Sequence, residues 1–318
     1  MFRDNPAAKR GGWPPRLRLP QGAAMNPPFA LSAGQWPEVM EQGRVADEAF
    51  AAAYARTGDG RRAWIKTGLA AVYAAVGGPR PAACQRRDSL GHDLLLTTVD
   101  VPLDFVVVVC GRDFLSPARL VAAVVPALCA RVPDVAVVRL GASWPGPLLT
   151  ALELCGVEMA CRLGVRGLPG LLAGLPAKGR GAVVVLGELA LPPRLPFDLT
   201  VFSARIAGRA GVFGPPEAGF DLDALAFAHP DMAFVRHGGP CPDLPAWTAG
   251  PGGLADAAGC GYDAVYVAPQ PGLSDLAAAP LVLGPGRETF WLWPQLPCEA
   301  FRVRRLGAAV VPSRPDIA

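Results

Sequence analysis

The chain has 318 residues, of which 51% are hydrophobic and 18% are charged, and its formal net charge is +3. This composition provides enough apolar side chains for a sizeable core, arranged as one large or two modest domains. The near-neutral balance of charges argues against a nucleic-acid or anionic-membrane surface, so we expect neither partner.

The first 24 residues are a tail with five basic residues and one acidic residue, so the rest of the chain carries a net charge of −1. The tail lacks the apolar run of a signal peptide, and its prolines exclude an amphipathic targeting helix. It is either disordered or an over-extended translation start with Met25 as the true first residue. No apolar run reaches transmembrane length, so we expect a cytoplasmic protein.

Residues 34–77 have amphipathic helical patterns that end at Gly77 and Gly78. They predict a helical lead-in over residues 34–98, whose last part bridges to the core. His92 is expected in a surface turn of this bridge.

Residues 99–190 alternate short apolar runs with helical patterns, which predicts a Rossmann-like core. Phe105–Cys110 is typical of a strand buried on both faces, and Ser116 with Pro117 should begin a helix. Further strands are predicted at 135–139, 158–163 and 182–186, and further helices at 147–155 and 168–175. Right-handed crossovers would give an α/β fold with a parallel sheet and helices on both faces.

Ligands of such sheets bind at the carboxyl ends of the strands. The candidate residues at these ends are, in chain order, Gly111, Arg112, Arg139, Ser143, Gly164, Gly167 and Glu188. Glycine allows a ligand to approach the backbone closely, but it also ends strands in general, and both interpretations stay open. Neither a GxGxxG fingerprint nor a P-loop is present, although the glycines of LGVRGLPG could place a phosphate at a helix start.

Residues 191–318 have a looser pattern and predict a smaller, irregular α/β lobe with a C-terminal segment. One strand is expected at 199–203, followed by a short helix and several short strands. His229 and His237 flank one strand and do not favour a metal pair, so no metal is expected. Trp291 and Trp293 are interpreted as anchors of the C-terminal segment. The crevice between the lobes is the expected ligand site.

The eight cysteines contain no CxxC pair and predict free thiols in a reducing compartment. Four lie in apolar runs and are interpreted as core residues, namely Cys110, Cys129, Cys155 and Cys161. A reactive thiol is expected among those in loop-like contexts, namely Cys241, Cys260 and Cys298.

The order of segments in the core resembles the first nucleotide-fold half of the aldehyde dehydrogenase superfamily. These segments are a strand followed by SPARLVAAVVPALCARV, DVAVVRLGAS, PLLTALELCGVEMACRLG and GLPGLLAGL. The histidinol dehydrogenase and fatty acyl-CoA reductase branches are the most similar, and this chain resembles a shortened, degenerate form of them. SPARLV and PALCARV stand where these families have PSTVLM-like and PAKVAGV-like segments. The resemblance covers about a third of the chain and implies the fold more than the chemistry.

Carried over by position, the resemblance implies NAD or NADP as cofactor. Arg139 and Ser143 stand where the family has a Lys and a Ser that hold the adenosine ribose, and Gly164 and Gly167 match its cofactor-facing loop. Because an Arg replaces the Lys, NAD, NADP and a phosphorylated substrate all stay open.

The same resemblance implies catalytic residues and excludes a zinc site. AGCGYDAVYVAP approximates the nucleophile segment and implies Cys260, and VVLGELA resembles the general-base motif and implies Glu188. Histidinol dehydrogenases hold zinc through a QxxH pair, but Ala226 stands three residues before His229. That zinc site cannot be assembled here.

Three functions therefore stay open, each with a small-molecule ligand or a protein partner. The first is an NAD(P)-dependent oxidoreductase in which Cys260 attacks a carbonyl or thioester. The second is a degenerate relative that binds a ligand or partner without catalysis. The third is a structural subunit that pairs with another chain, including a homo-oligomer. The missing histidines and the short C-terminal part favour the second over the first, while the resemblance supports the first.

Overall fold

The computed structural model of the protein describes residues 35–196, 199–204, 207–215 and 219–310. These residues fall in one compact unit, Leu31–Ala318. The tail over residues 1–24 lies outside the described residues. Within the described ranges, no helix combines the length and the apolar character needed to span a bilayer.

The predicted helical lead-in consists of three helices, α1 (Glu38–Gln42), α2 (Asp47–Arg56) and α3 (Asp59–Ala75). The bridge that follows is more regular than the sequence indicated. It contains β1 (Cys84–Ser89) and β2 (Leu94–Pro102), which pair antiparallel. His92 is exposed in the turn between them, as predicted.

The first large sheet is five-stranded and parallel throughout. Its strands are β3 (Phe105–Cys110), β4 (Asp134–Leu140), β5 (Met159–Leu163), β6 (Gly181–Leu186) and β7 (Leu199–Ala204). They lie side by side in the order β5-β4-β3-β6-β7. The crossover helices are α4 (Pro117–Cys129), α5 (Gly146–Cys155) and α6 (Leu168–Gly174). The predicted Rossmann-like α/β fold is therefore confirmed.

The central strand β3 is buried at every position because helices cover both faces of the sheet. Val106 and Val108 contribute to the core beneath α4 and α5, and Val107 and Val109 contribute to the core beneath α6. Ser116 caps α4 as predicted, since its Oγ accepts a hydrogen bond from the backbone N–H of Arg119 at 3.1 Å.

The first sheet extends beyond residue 190, where the sequence placed the end of the core. The predicted strand at 199–203 pairs in parallel with β6 and forms the edge of this sheet. Leu199 and Ala204 are buried, and β7 pairs with β6 on the side opposite to β3. Assigning this strand to the second lobe was wrong, because strand pairing leaves no trace in local sequence.

The second sheet is also five-stranded and parallel, and it is more regular than the expected irregular lobe. Its strands are β8 (Arg209–Phe213), β9 (Ala233–His237), β10 (Trp247–Ala249), β11 (Ala264–Val267) and β12 (Val282–Leu283). Their order is β10-β9-β8-β11-β12, and α7 (Leu222–Ala228) connects β8 to β9. The sequence pattern predicted one strand in the region where both β7 and β8 occur. The two strands are separated only by residues 205–208, so the second was not distinguished from the first.

The last strand among the described residues is β13 (Arg302–Val310), in the C-terminal segment. Trp291 and Trp293 are 2% and 6% exposed, which confirms their prediction as anchors. β13 pairs antiparallel with β2, so the third sheet has the order β1-β2-β13.

Candidate functional site

The carboxyl ends of the first sheet bring together the loops after β3, β4, β5 and β6. In the observed strand order, chain progression reverses between β3 and β6, which is the switch point where open α/β sheets bind ligands. The candidate residues at the ends of these four strands therefore lie on one edge of one sheet, as the sequence predicted.

Arg139 is buried beneath this edge and binds the backbone of two of its loops. It is only 2% exposed, and its guanidinium donates to the carbonyl oxygens of Ser143 at 2.8 Å, Phe114 at 2.8 Å and Arg112 at 2.9 Å. A further contact to the Gly111 carbonyl spans 3.5 Å. Burial lowers the pKa of Arg139. Its donors are directed at the protein's own backbone, so it connects the loops after β3 and β4.

The glycines at the switch point serve close packing between loops. The Gly111 N–H donates to the Leu186 carbonyl at 2.9 Å, and a Cβ on Gly111 would lie 3.4 Å from both that oxygen and Leu189 Cδ2. Gly187 has φ +90°, which favours glycine. The loops after β3 and β6 therefore lie against each other, and Leu189 packs beside them.

The edge is more open over β4 and β5. Ser143 and Gly164 are exposed, and a Cβ on Gly164 would meet no atom within 4 Å. Gly167 follows in a short 3-10 turn at Val165–Gly167. Arg112 is exposed after β3. These side chains and backbone groups are accessible to a ligand, in contrast to Arg139.

The second lobe contacts this edge through the residues that precede β9. Asp231 Oδ2 accepts a hydrogen bond from the Leu115 N–H at 3.0 Å, and Asp231 Oδ1 forms an ion pair with buried Arg119. Burial lowers the pKa of Arg119, while the neighbouring Asp231 opposes that shift. The carboxyl side of the first sheet therefore faces the amino side of the second sheet.

A buried serine–histidine pair reinforces the same contact. The Ser116 hydroxyl donates its one proton to the Ala228 carbonyl at 2.6 Å, so its contact with His229 Nδ1 at 3.2 Å is one that it accepts. His229 is fully buried, and burial keeps its pKa well below the ordinary value. His229 is therefore neutral and structural in this position.

The two candidate catalytic residues lie on these facing edges but form no pair. Glu188 is exposed after β6. Cys260 is half-buried before β11, at the amino side of the second sheet, where its thiol donates to the Asp256 carbonyl at 3.4 Å. No contact between Cys260 and Glu188 occurs among the described residues. The structure brings their edges together without pairing these two residues.

Three of the four predicted core thiols, Cys110, Cys129 and Cys161, are buried, and Cys155 is half-buried against the core. Burial raises the pKa of Cys110, Cys155 and Cys161 to about 12 and that of Cys129 to about 11. These thiols stay protonated and unreactive near neutral pH.

Among the described residues, no group of His, Cys, Asp and Glu could hold a metal ion.

The sequence did not identify the polar residues buried between the lobes. Besides the Arg119 ion pair, these include Tyr266, whose pKa burial raises, and Glu288, whose Oε1 accepts from the Gly286 N–H at 3.0 Å. The segment FAHPD contains both His229 and Asp231, but only His229 was considered as a candidate from the sequence. A buried position for Arg119 is indicated only by its place within an otherwise apolar helix.

No protein-family model matches the sequence, and no curated protein matches it. Among solved structures, a histidinol dehydrogenase from Elizabethkingia anophelis is 10% identical with a TM-score of 0.54, over 84% of this chain and 77% of that chain. A succinate-semialdehyde dehydrogenase from Burkholderia pseudomallei is 12% identical with a TM-score of 0.41, over 86% and 89%. An NAD-dependent benzaldehyde dehydrogenase from Corynebacterium glutamicum is 13% identical with a TM-score of 0.39, over 83% and 87%. The first match shows that this chain shares its fold with histidinol dehydrogenase, which confirms the predicted fold relationship.

Proposed function

We propose that the chain is an oxidoreductase-like protein that binds NAD or NADP at the carboxyl edge of the first sheet. The observation that carries this proposal is the accessible edge over β4 and β5, where Ser143 and Gly164 are exposed beside loops that Arg139 fixes. A preformed edge of this kind reduces the ordering cost of binding.

The residues at the edge fit a dinucleotide in a particular way. The Ser143 hydroxyl can hydrogen-bond a ribose, the open backbone at Gly164 admits close approach, and the exposed Arg112 supplies a cation for phosphate. Arg139 contributes indirectly by holding the loops. When bound, nicotinamide would supply a hydride acceptor or donor.

The placement of Cys260 and Glu188 favours binding without thiol catalysis as the second candidate function. The Cys260 thiol donates to the Asp256 carbonyl, and within the described chain Glu188 does not contact it. If catalysis occurs, Cys260 is the residue that would attack a carbonyl or thioester. A Cys260→Ala variant assayed against aldehydes and acyl thioesters separates the two functions, because turnover that survives the change removes the thiol mechanism.

The experiment for the binding proposal is calorimetric titration of the full chain with NAD and then NADP. We expect a Kd in the micromolar range for at least one of them. Ser143→Asp should weaken binding at least tenfold, because it places a carboxylate beside the ribose and phosphates. Ser89→Asp, also exposed but on β1, is the matched control and should leave the Kd unchanged. Absence of heat with both dinucleotides would refute the proposal.

A further inference from the structure

A groove of about 650 Å³ lies between α2, the start of α5 and strand β5. Arg44, Arg56 and Arg162 line it, and one end reaches Ser143 and Trp144 in the loop after β4. Among the described residues that line it, none is an aspartate or glutamate. Its volume is in the range of small-molecule sites.

The fold makes little use of these three guanidinium groups. Arg44 Nη1 lies 3.8 Å from Glu41 Oε2, and both side chains are about half exposed, at 49% and 47%. Such an exposed pair contributes little. In the described part of the chain, no hydrogen bond or ion pair engages the side chain of Arg56 or Arg162. Three cations that share one groove repel one another, and an anion in the groove would relieve that repulsion.

The backbone around two of the arginines is held in place by an additional pairing at the edge of the first sheet. Residue Arg44 forms an antiparallel bridge with Cys161 of β5. The Arg162 N–H donates to the Gly43 carbonyl at 2.8 Å. A Cβ on Gly43 would lie 2.4 Å from the Arg162 carbonyl oxygen, so this approach requires glycine. The backbone that carries Arg44 and Arg162 is therefore in place before any ligand arrives, while their side chains stay free to reach a ligand.

The third arginine ends α2, next to a buried polar contact. The hydroxyl groups of Thr57 and Thr150 lie 2.9 Å apart and fix the end of α2 to α5. Arg56 immediately precedes Thr57. On the far side of the groove, the Ser143 carbonyl is held by Arg139 Nε at 2.8 Å. Rigid elements thus surround the groove, as a precise binding site requires.

We propose that this groove binds the phosphoryl groups of a small phosphorylated ligand. Guanidinium groups bind phosphate oxygens through paired hydrogen bonds, and three of them can surround a diphosphate. Trp144 also lines the groove and adds an aromatic wall beside the arginines. The inference goes beyond the proposed dinucleotide site. The groove shares Ser143 with the carboxyl edge, and Arg162 lies near the end of β5, but Arg44 and Arg56 belong to the helical lead-in.

The test is calorimetric titration of the full chain with inorganic pyrophosphate and with ADP. We expect both to bind, and the combined change of Arg44, Arg56 and Arg162 to Gln should weaken binding at least tenfold. Arg162→Gln alone, an exposed single change, should weaken it severalfold and guards against a triple variant that fails to fold. The matched control changes three exposed arginines outside the groove to Gln, namely Arg87, Arg180 and Arg287.

Competition with NAD and NADP identifies the source of the phosphate. Pyrophosphate binding that persists at saturating dinucleotide indicates a separate phosphorylated ligand, and mutual exclusion indicates that the groove holds a phosphate of the dinucleotide. Either result supports the groove as a phosphate site. No pyrophosphate or ADP binding, or equal binding by the arginine variants, would overturn it. Pyrophosphate binding tests the groove without any dinucleotide. If NAD and NADP fail to bind, the proposed function fails while the groove proposal is still tested.

Discussion

Arg139→Met tests whether one buried guanidinium holds the carboxyl edge of the first sheet. Three of its hydrogen bonds to backbone carbonyls are 2.8 to 2.9 Å long, and the contact at 3.5 Å adds little. Each short charge-assisted bond contributes about 1.5–3 kcal/mol. Methionine removes all three and also removes the cost of burying the charge. We therefore expect a net loss of about 3–5 kcal/mol in the free energy of unfolding, as for a broken buried ionic network.

Urea denaturation followed by circular dichroism measures this loss. Arg87→Met, on the exposed strand β1, is the control and should change the free energy of unfolding by less than about 0.5 kcal/mol. Arg139→Lys should remain destabilised, because one ammonium cannot reach carbonyls of both loops in the geometry of the guanidinium. A loss below about 1 kcal/mol for Arg139→Met would refute the role assigned to this residue.

Three further predictions concern other parts of the molecule. Gly43→Ala should lower the free energy of unfolding by about 1–3 kcal/mol in urea denaturation, because the new methyl would lie 2.4 Å from the Arg162 carbonyl oxygen; an unchanged midpoint would contradict it. Asp231→Asn should cost about 3–5 kcal/mol, because it leaves Arg119 buried and uncompensated; a neutral effect would show that Arg119 is hydrated. Stability should fall above about pH 9, because unfolding lets the four thiols ionise while their folded pKa lies at about 11 to 12; replacing the fully buried Cys110 by Ala should reduce the slope by about 1.4 kcal/mol per pH unit, and an unaltered slope would contradict that.

The first sheet was predictable because its physical causes are local. The run Phe105–Cys110 is apolar and mostly β-branched, which is typical of a strand covered on both faces, and Ser116 with Pro117 is a helix start readable from two residues. The strands of the second sheet have two to five residues, too few to show periodicity. β1 is exposed and polar, and it forms a strand because β2 pairs with it.

The shared edge of the candidate residues was predictable, but the contacts that they make were not. The resemblance placed Arg139 at a cofactor-binding position, because it stands where the family has a Lys. Its partners are backbone carbonyls between residues 111 and 143, and only the folded loops bring them within reach. The ion pair between Arg119 and Asp231 joins residues 112 positions apart, a separation that no local motif reveals.

Amide hydrogen exchange of the full chain, with and without saturating NAD or NADP, tests the central claim most directly. The account predicts that the dinucleotide slows exchange at residues 111–116, 140–146 and 163–168, the loops of the carboxyl edge, and leaves β1 and β2 unchanged. Exchange that is unaffected in all three loops, or slowed only in the second lobe, would contradict a dinucleotide site at this edge.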